Sequence, residues 1–143
     1  MKLSEKYLVI AHYHSAGLIR NDIVNLIKNF ENSFDKILFV STKLKTSERK
    51  KIQKYSKVLI RQNIGYDFYS YKVGIEYLLK KKMHNKSILL MASSLFYLKP
   101  KKLLNEINKI KNSNNTVYTF SKSWEIKEHL QSDIFYFSMN LFK

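Results

Sequence analysis

Apolar residues return along this chain in two rhythms, a short unbroken run and a spacing of three or four. Lys6 to Tyr13 (KYLVIAHY) is a mainly apolar, β-branched and aromatic run that predicts a buried strand. From Leu18 to Phe34 the positions Leu18, Ile19, Ile23, Leu26, Ile27, Phe30 and Phe34 fall on one side of a 3.6-residue period, the pattern of an amphipathic helix. Lys36 to Ser41 (KILFVS) predicts a second strand. Ser47-Glu48 then opens a short charged helix, with a side-chain oxygen for its free N–H groups. Lys57 to Arg61 (KVLIR) predicts a third strand. Beyond Asp67, Phe68, Tyr71, Ile75, Leu78 and Leu79 line one side of a helix running to about Lys81.

Ser87 to Met91 (SILLM) is apolar enough for a central parallel strand. Pro100 suits the first turn of a further helix with the stripe Leu103, Leu104, Ile107 and Ile110, which Asn112-Ser113-Asn114-Asn115 ends. Thr116 to Phe120 and Asp133 to Ser138 predict two more short strands. Strands alternating with helices of this length predict an α/β, three-layer sandwich with a mostly parallel central sheet covered on both faces. Ligands in such sheets sit outside the carboxyl ends of the strands.

No repeat or linker divides the 143 residues, so one domain over 1–143 is expected. The absence of Cys excludes disulfides, thiolate metal sites and a Cys nucleophile. The apolar run near the N-terminus stops at His12 and His14, too short for a secretory signal or a membrane span, and the expected compartment is the cytoplasm. With 26 Lys+Arg against 11 Asp+Glu the formal charge is +15, which attracts nucleic acid, anionic lipid headgroups or phosphorylated small molecules. The excess is mostly Lys, spread through helical segments, and no recognition motif appears, so a basic nucleic-acid-binding domain is the weaker alternative.

Between the third strand and the next helix stands RQNIGYDFYSYK, Arg61 to Lys72, dense in residue types scarce elsewhere. Gly65 permits backbone angles closed to other residues and can bring main-chain N–H groups near a ligand. Asp67 stands where the helix begins; an Asp N-cap after a Gly turn accounts for both residues without any ligand. As a ligand-binding group, a carboxylate here suits hydroxyls, a base edge or a metal, because it repels phosphate. Arg61 suits a diphosphate, or a surface ion pair. His12 and His14 point to one strand face, a spacing open to a metal or to a pair lining a cleft.

Arg-x-Asn-x-Gly-Tyr-Asp-Phe-x-Ser-Tyr-Lys-x-Gly, here Arg61 to Gly74, resembles the central motif of the rhamnan synthesis protein F family of bacterial glycosyltransferases. Glu128-His129-Leu130-Gln131-Ser132, followed by Asp133 to Phe137, is similar to that family's His-Leu-Gln-Ser segment and the aromatic strand after it. The resemblance implies a GT-A-like nucleotide-diphospho-sugar-binding fold. It further implies transfer of a sugar, rhamnose in the namesake, during assembly of a cell-surface polysaccharide of rhamnan or O-antigen type.

By that carry-over Asn63, Gly65, Tyr66 and Asp67 line the nucleotide-sugar pocket with Arg61 beside it, and Ser93 contacts substrate. His129 and Gln131 form the opposite wall. Asp67 and His129 are the candidate catalytic groups. A lipid-linked saccharide acceptor at the inner face of the membrane gives the basic surface a second use. Mg²⁺ or Mn²⁺ is the implied cofactor. One departure weakens that last point: where the family shows an Asn-Asp-Ser type segment after the fourth strand, this chain has Ala92-Ser93-Ser94. That change, and a chain ending just past the His-Leu-Gln-Ser strand without part of the acceptor region, suit a second alternative, a non-catalytic remnant or partner subunit of a transferase.

Overall fold

The computed structural model describes residues 6–83, 87–110, 117–123, 127, 129–130 and 133–138. Its centre is β1 (Lys6–His12), whose residues Tyr7 to Ala11 are wholly enclosed. β1 runs parallel to β2 (Lys36–Ser41) on one side and to β4 (Ser87–Ala92) on the other, and β2 pairs in parallel with β3 (Lys57–Ile60). β8 (Ile134–Ser138) is antiparallel to both β4 and β5 (Val117–Thr119), completing a six-stranded sheet ordered β3-β2-β1-β4-β8-β5. The sheet is therefore mixed and mostly parallel. A two-stranded ribbon, β6 (Lys122–Ser123) with β7 (His129–Leu130), lies outside it and is not predicted by periodicity, being too short to carry any.

Alternation along β1 sorts the core into two. Leu8 and Ile10 face α1 (Asn21–Phe30), α2 (Thr46–Ile52) and α4 (Pro100–Lys109), while Tyr7, Val9 and Ala11 face α3 (Tyr66–Lys80). Each such fully enclosed aliphatic side chain contributes on the order of 1.5–3 kcal/mol of burial. Gly74 is where α3 meets β1: a Cβ there would lie 2.5 Å from Val9 Cγ1, so the second glycine of the motif sets the helix-to-sheet distance.

Three expected boundaries shift. α1 begins at Asn21 rather than Leu18, because Arg20 is extended and the Leu18 carbonyl is already engaged by His12. It ends at Phe30 in a 3-10 turn, Glu31–Ser33; Phe34 is extended, yet its ring stacks on Phe30 at 5.5 Å, which is why the apolar period reads through the break. α2 has no side-chain cap: Glu48 turns away to accept the Ile19 N–H at 3.1 Å.

Cover on the two faces is unequal. α3 packs over β1 and β2. Beyond it, among the described residues, an apolar crevice of about 620 Å³ lies open over β4, β8 and β5, lined by Leu90, Phe135 and Phe137 and by Phe68, Tyr71, Ile75 and Leu79 of α3.

Candidate functional site

Chain order and sheet order part company at β1. The connections to β2 and β3 lead one way and β4 lies on the other side, so the loops leaving β1 and β4 diverge and leave a crevice at their carboxyl ends. A cavity of about 420 Å³ occupies that point, lined by residues of three loops: His12 to Arg20 after β1, Arg61 to Asp67 after β3, and Ser93 and Ser94 after β4. Arg61, Asn63, Tyr66, Asp67 and Ser93 are thus brought to one cavity, and Gly65 sits in the same bend. His129 lies in β7, opposite Ser123 in the ribbon; Gln131 and the side chain of His129 lie outside the described residues.

The bend after β3 is built around Arg61. Its Nε donates to Ser70 Oγ at 2.7 Å, Nη1 to the carbonyls of Gln62 at 2.6 Å and Ile64 at 2.7 Å, and Nη2 to the Tyr66 carbonyl at 2.6 Å. The guanidinium fork is thereby committed to holding its own loop, which a diphosphate ligand would have to share.

Gly65 is the N-cap of α3 at φ +68, and a Cβ on it would lie 2.8 Å from Tyr69 Cβ. Tyr66 is also left-handed, at φ 49, a conformation costly for an aromatic residue, and its side chain is 92% exposed. The strained bend holds that ring out at the cavity lip.

Gly65 holds the N-cap position, so Asp67 is not the cap and stands instead in the first turn of α3. Its carboxyl is raised above the ordinary range, first by burial and further by the charge of Asp133, with Arg61 opposing. Asp133 is the residue from which β4 takes its last ladder bond, Ala92 N–H to the Asp133 carbonyl at 2.9 Å. Asp67 is therefore a half-buried carboxylate facing the cavity, with no hydrogen-bond partner among the described residues.

Two features of the site take their form only from tertiary contacts. Arg20 donates from Nε and Nη2 to both Asp22 oxygens, at 2.9 and 3.0 Å, and from Nη2 to the Leu95 carbonyl, with its guanidinium 4.3 Å over the Phe96 ring. Asp22 Oδ2 also accepts the Tyr97 N–H at 3.1 Å, and Tyr97 Oη donates to the Ala92 carbonyl at 2.6 Å. The loop after β4 is clamped to the start of α1 by this set, and Arg20 lines the cavity with Nη1 unengaged among the described residues. Arg20 and Asp22 hold one another charged, the carboxyl driven below its usual range by the Arg20 hydrogen bonds.

His12 is the other. It is 4% exposed, its Nε2 donates to the Leu18 carbonyl at 3.0 Å, and its Nδ1 lies 2.9 Å from Ser41 Oγ. A carbonyl only accepts, so Nε2 carries the proton, and the single Ser41 hydroxyl hydrogen is shared between His12 Nδ1 and the Lys43 carbonyl, which lies 2.8 Å from Ser41 Oγ. Burial lowers its pKa to about 4. Both ring nitrogens are occupied, so the spacing of His12 and His14 does not make a metal pair. Among the described residues no group of three or more His, Asp or Glu could hold a metal. Among the described residues that line the cavity, Asp67 alone offers a carboxylate, a donor set that fits a Mg²⁺ or Mn²⁺ ion sharing its other sites with ligand phosphates rather than a protein cage.

No protein-family model matches the chain. The structure superposes on a crystal structure of 4-diphosphocytidyl-2C-methyl-D-erythritol synthase with a TM-score of 0.66, at 12% identity, over 99% of this chain and 78% of that one. It superposes on mannosyltransferase PcManGT from Pyrobaculum calidifontis, in complex with GDP-Man and Mn²⁺, with a TM-score of 0.59, at 7% identity, over 94% of this chain and 44% of that one. The likeness is one of fold, an α/β sandwich with a mostly parallel central sheet. In sequence, the uncharacterized protein y4gN of Sinorhizobium fredii is 27% identical over 96 residues, 66% of this chain. The chain spans 25% of the length of that relative. Among the described residues no helix is long and apolar enough to cross a membrane.

Proposed function

We propose that residues 1–143 act as one domain that binds the nucleotide-diphospho-sugar donor of a glycosyltransferase, rhamnosyl or another hexosyl, in bacterial rhamnan or O-antigen type polysaccharide synthesis. The observation that carries the proposal is the bend at Gly65, which presents a strained, exposed Tyr66 and an Asp67 without a hydrogen-bond partner among the described residues to a cavity at the point where the sheet order reverses. The family resemblance of Arg61 to Gly74 and the likeness of fold to the two solved structures support the same reading.

In this assignment Arg20 Nη1 and main-chain N–H groups around Gly65 receive the diphosphate, whose negative charge grows as the sugar leaves. Arg61 is the positioning residue that keeps the bend in shape. The Tyr66 ring stacks on the base or sugar, Asn63 and Ser93 supply hydrogen bonds, and Asp67 orients a sugar hydroxyl or serves as general base. By the family resemblance alone, His129 and Gln131 are assigned to the acceptor, a lipid-linked saccharide. A divalent cation, when bound, would neutralise charge on the departing diphosphate, with Asp67 as its protein ligand.

The second reading is a donor-binding partner without turnover of its own, favoured by β4 ending in the neutral Ala92-Ser93-Ser94 where the resembling family has an acid. A thermal-shift screen of nucleotide sugars, with and without Mg²⁺ or Mn²⁺, tests donor binding, since a ligand of the folded form raises the melting temperature. Absence of any shift across the panel rejects donor binding. Donor hydrolysis assayed beside it separates the two readings: a shift with turnover supports the transferase, a shift without turnover the partner.

A further inference from the structure

Of the ten large apolar side chains exposed among the described residues, six gather on three loops at one end of the domain, the others being Ile60, Phe68, Val117 and Phe120. Tyr13 and Leu18 are exposed on the loop after β1, Ile64 and Tyr66 on the bend after β3, and Phe96 and Leu98 on the loop after β4. All three loops leave the carboxyl edge of the sheet, around the mouth of the cavity. Single exposed apolar residues need no explanation, but a group gathered on one end of a domain marks an interaction surface.

The loop after β4 displays its pair by construction. Tyr97 is buried and anchored at both its backbone N–H and its hydroxyl, so its neighbours Phe96 and Leu98 must face outward, 71% and 82% exposed. Leu98 is followed by Lys99, Lys101 and Lys102, and the loop after β2, held to the loop after β1 by the Lys45 N–H on the Gly17 carbonyl at 3.0 Å, adds Lys43 and Lys45. All five lysines are exposed and none forms an ion pair with a described residue.

We infer that this end of the domain docks on an anionic phospholipid bilayer. Phe96 and Leu98 enter the boundary between headgroups and acyl chains, while the five lysines meet the headgroup phosphates. Apolar tips backed by lysines suit such a surface; a polyphosphate chain in water would leave Leu98 and Ile64 without a use. The net charge of +15 acts in the same direction. Docking in this orientation turns the cavity mouth toward the lipid surface. The inference goes beyond donor binding and stands whichever ligand the cavity takes.

Flotation of the full chain with vesicles, without any nucleotide sugar, tests it. Co-flotation is expected with phosphatidylcholine–phosphatidylglycerol vesicles and not with phosphatidylcholine alone, weakening as salt rises. The double substitution Phe96→Ser, Leu98→Ser and the triple Lys99→Gln, Lys101→Gln, Lys102→Gln should each lower the bound fraction about fivefold or more. A control triple, Lys80→Gln, Lys81→Gln, Lys82→Gln, at the other end of α3, should float as the parent does.

No flotation with anionic vesicles overturns the inference, as does equal loss in the control. Because the serine substitutions could disturb folding, a second readout uses Leu98→Cys in this chain without native Cys, carrying a polarity-sensitive dye. A blue shift on anionic vesicles is expected; an unchanged spectrum counts against insertion.

Discussion

Arg61 Nε donates to the buried Ser70 Oγ at 2.7 Å, tying the end of β3 to the second turn of α3 across the glycine bend. Together with its bonds to the carbonyls of Gln62, Ile64 and Tyr66, this contact makes Arg61 the frame of the site rather than its most available cation. Among the described residues, the cation with free hydrogen-bonding capacity at the cavity is Arg20.

Arg61→Ala should therefore act on stability as well as on binding. Loss of four hydrogen bonds, one to a buried hydroxyl, is expected to cost about 1–3 kcal/mol in urea denaturation. Arg61→Lys should recover little of it, because an ammonium cannot reproduce the planar fork. Wild-type stability in both variants would contradict the framing role.

Arg20→Gln is expected to weaken a nucleoside diphosphate about tenfold while leaving the parent nucleoside almost unaffected, since the change removes a charge facing phosphate. Titration calorimetry with the two ligands measures the difference. An equal loss for both would instead indicate collapse of the clamped loop after β4.

Gly65→Ala should destabilise by about 1–2 kcal/mol or more, as it adds left-handed strain to a contact of 2.8 Å with Tyr69 Cβ. Tyr66→Asn should do the opposite: Asn tolerates φ 49, so the melting temperature holds or rises while ligand binding falls. Circular-dichroism melts paired with ligand titration separate the two effects.

Asp67→Asn is expected to raise the melting temperature of the unliganded protein at neutral pH. The carboxyl is raised by burial and by Asp133, so its stabilising contribution is complete at low pH and is lost as pH rises through its folded-state pKa. Removing the charge ends that loss. The same substitution should abolish the thermal response to nucleotide sugars; retention of the response would make Asp67 a bystander.

His12 sets an acid limit. Its pKa falls from 6.5 to about 4 on folding, so the unfolded chain takes up a proton first, and stability falls as pH drops from about 6.5 toward about 4. The full loss is about 3 kcal/mol. His12→Gln should flatten this slope in denaturation curves taken across that pH window.

The sequence by itself determined the order and kind of the main elements, because burial of β1, β2 and β4 on both faces leaves an unbroken apolar run and each helix leaves a period. It also located the bend, since Gly65 is required there by a positive φ and by Tyr69, and it gathered Arg61, Asn63, Tyr66, Asp67 and Ser93 as candidates that share one cavity.

Only the tertiary structure decided what those residues are free to do. Asp67 reads as a helix cap until the backbone shows Gly65 in that position, and Arg61 reads as a ligand group until its donors are seen on its own loop. Arg20 bonds Leu95 and Asp22 bonds Tyr97, each across 75 residues of chain, pairings no local pattern encodes. The same holds for β8 running antiparallel and for the gathering of apolar tips at one edge. Periodicity reports which way a side chain faces within its own element, whereas hydrogen-bond partners and surface neighbours are fixed when distant segments meet.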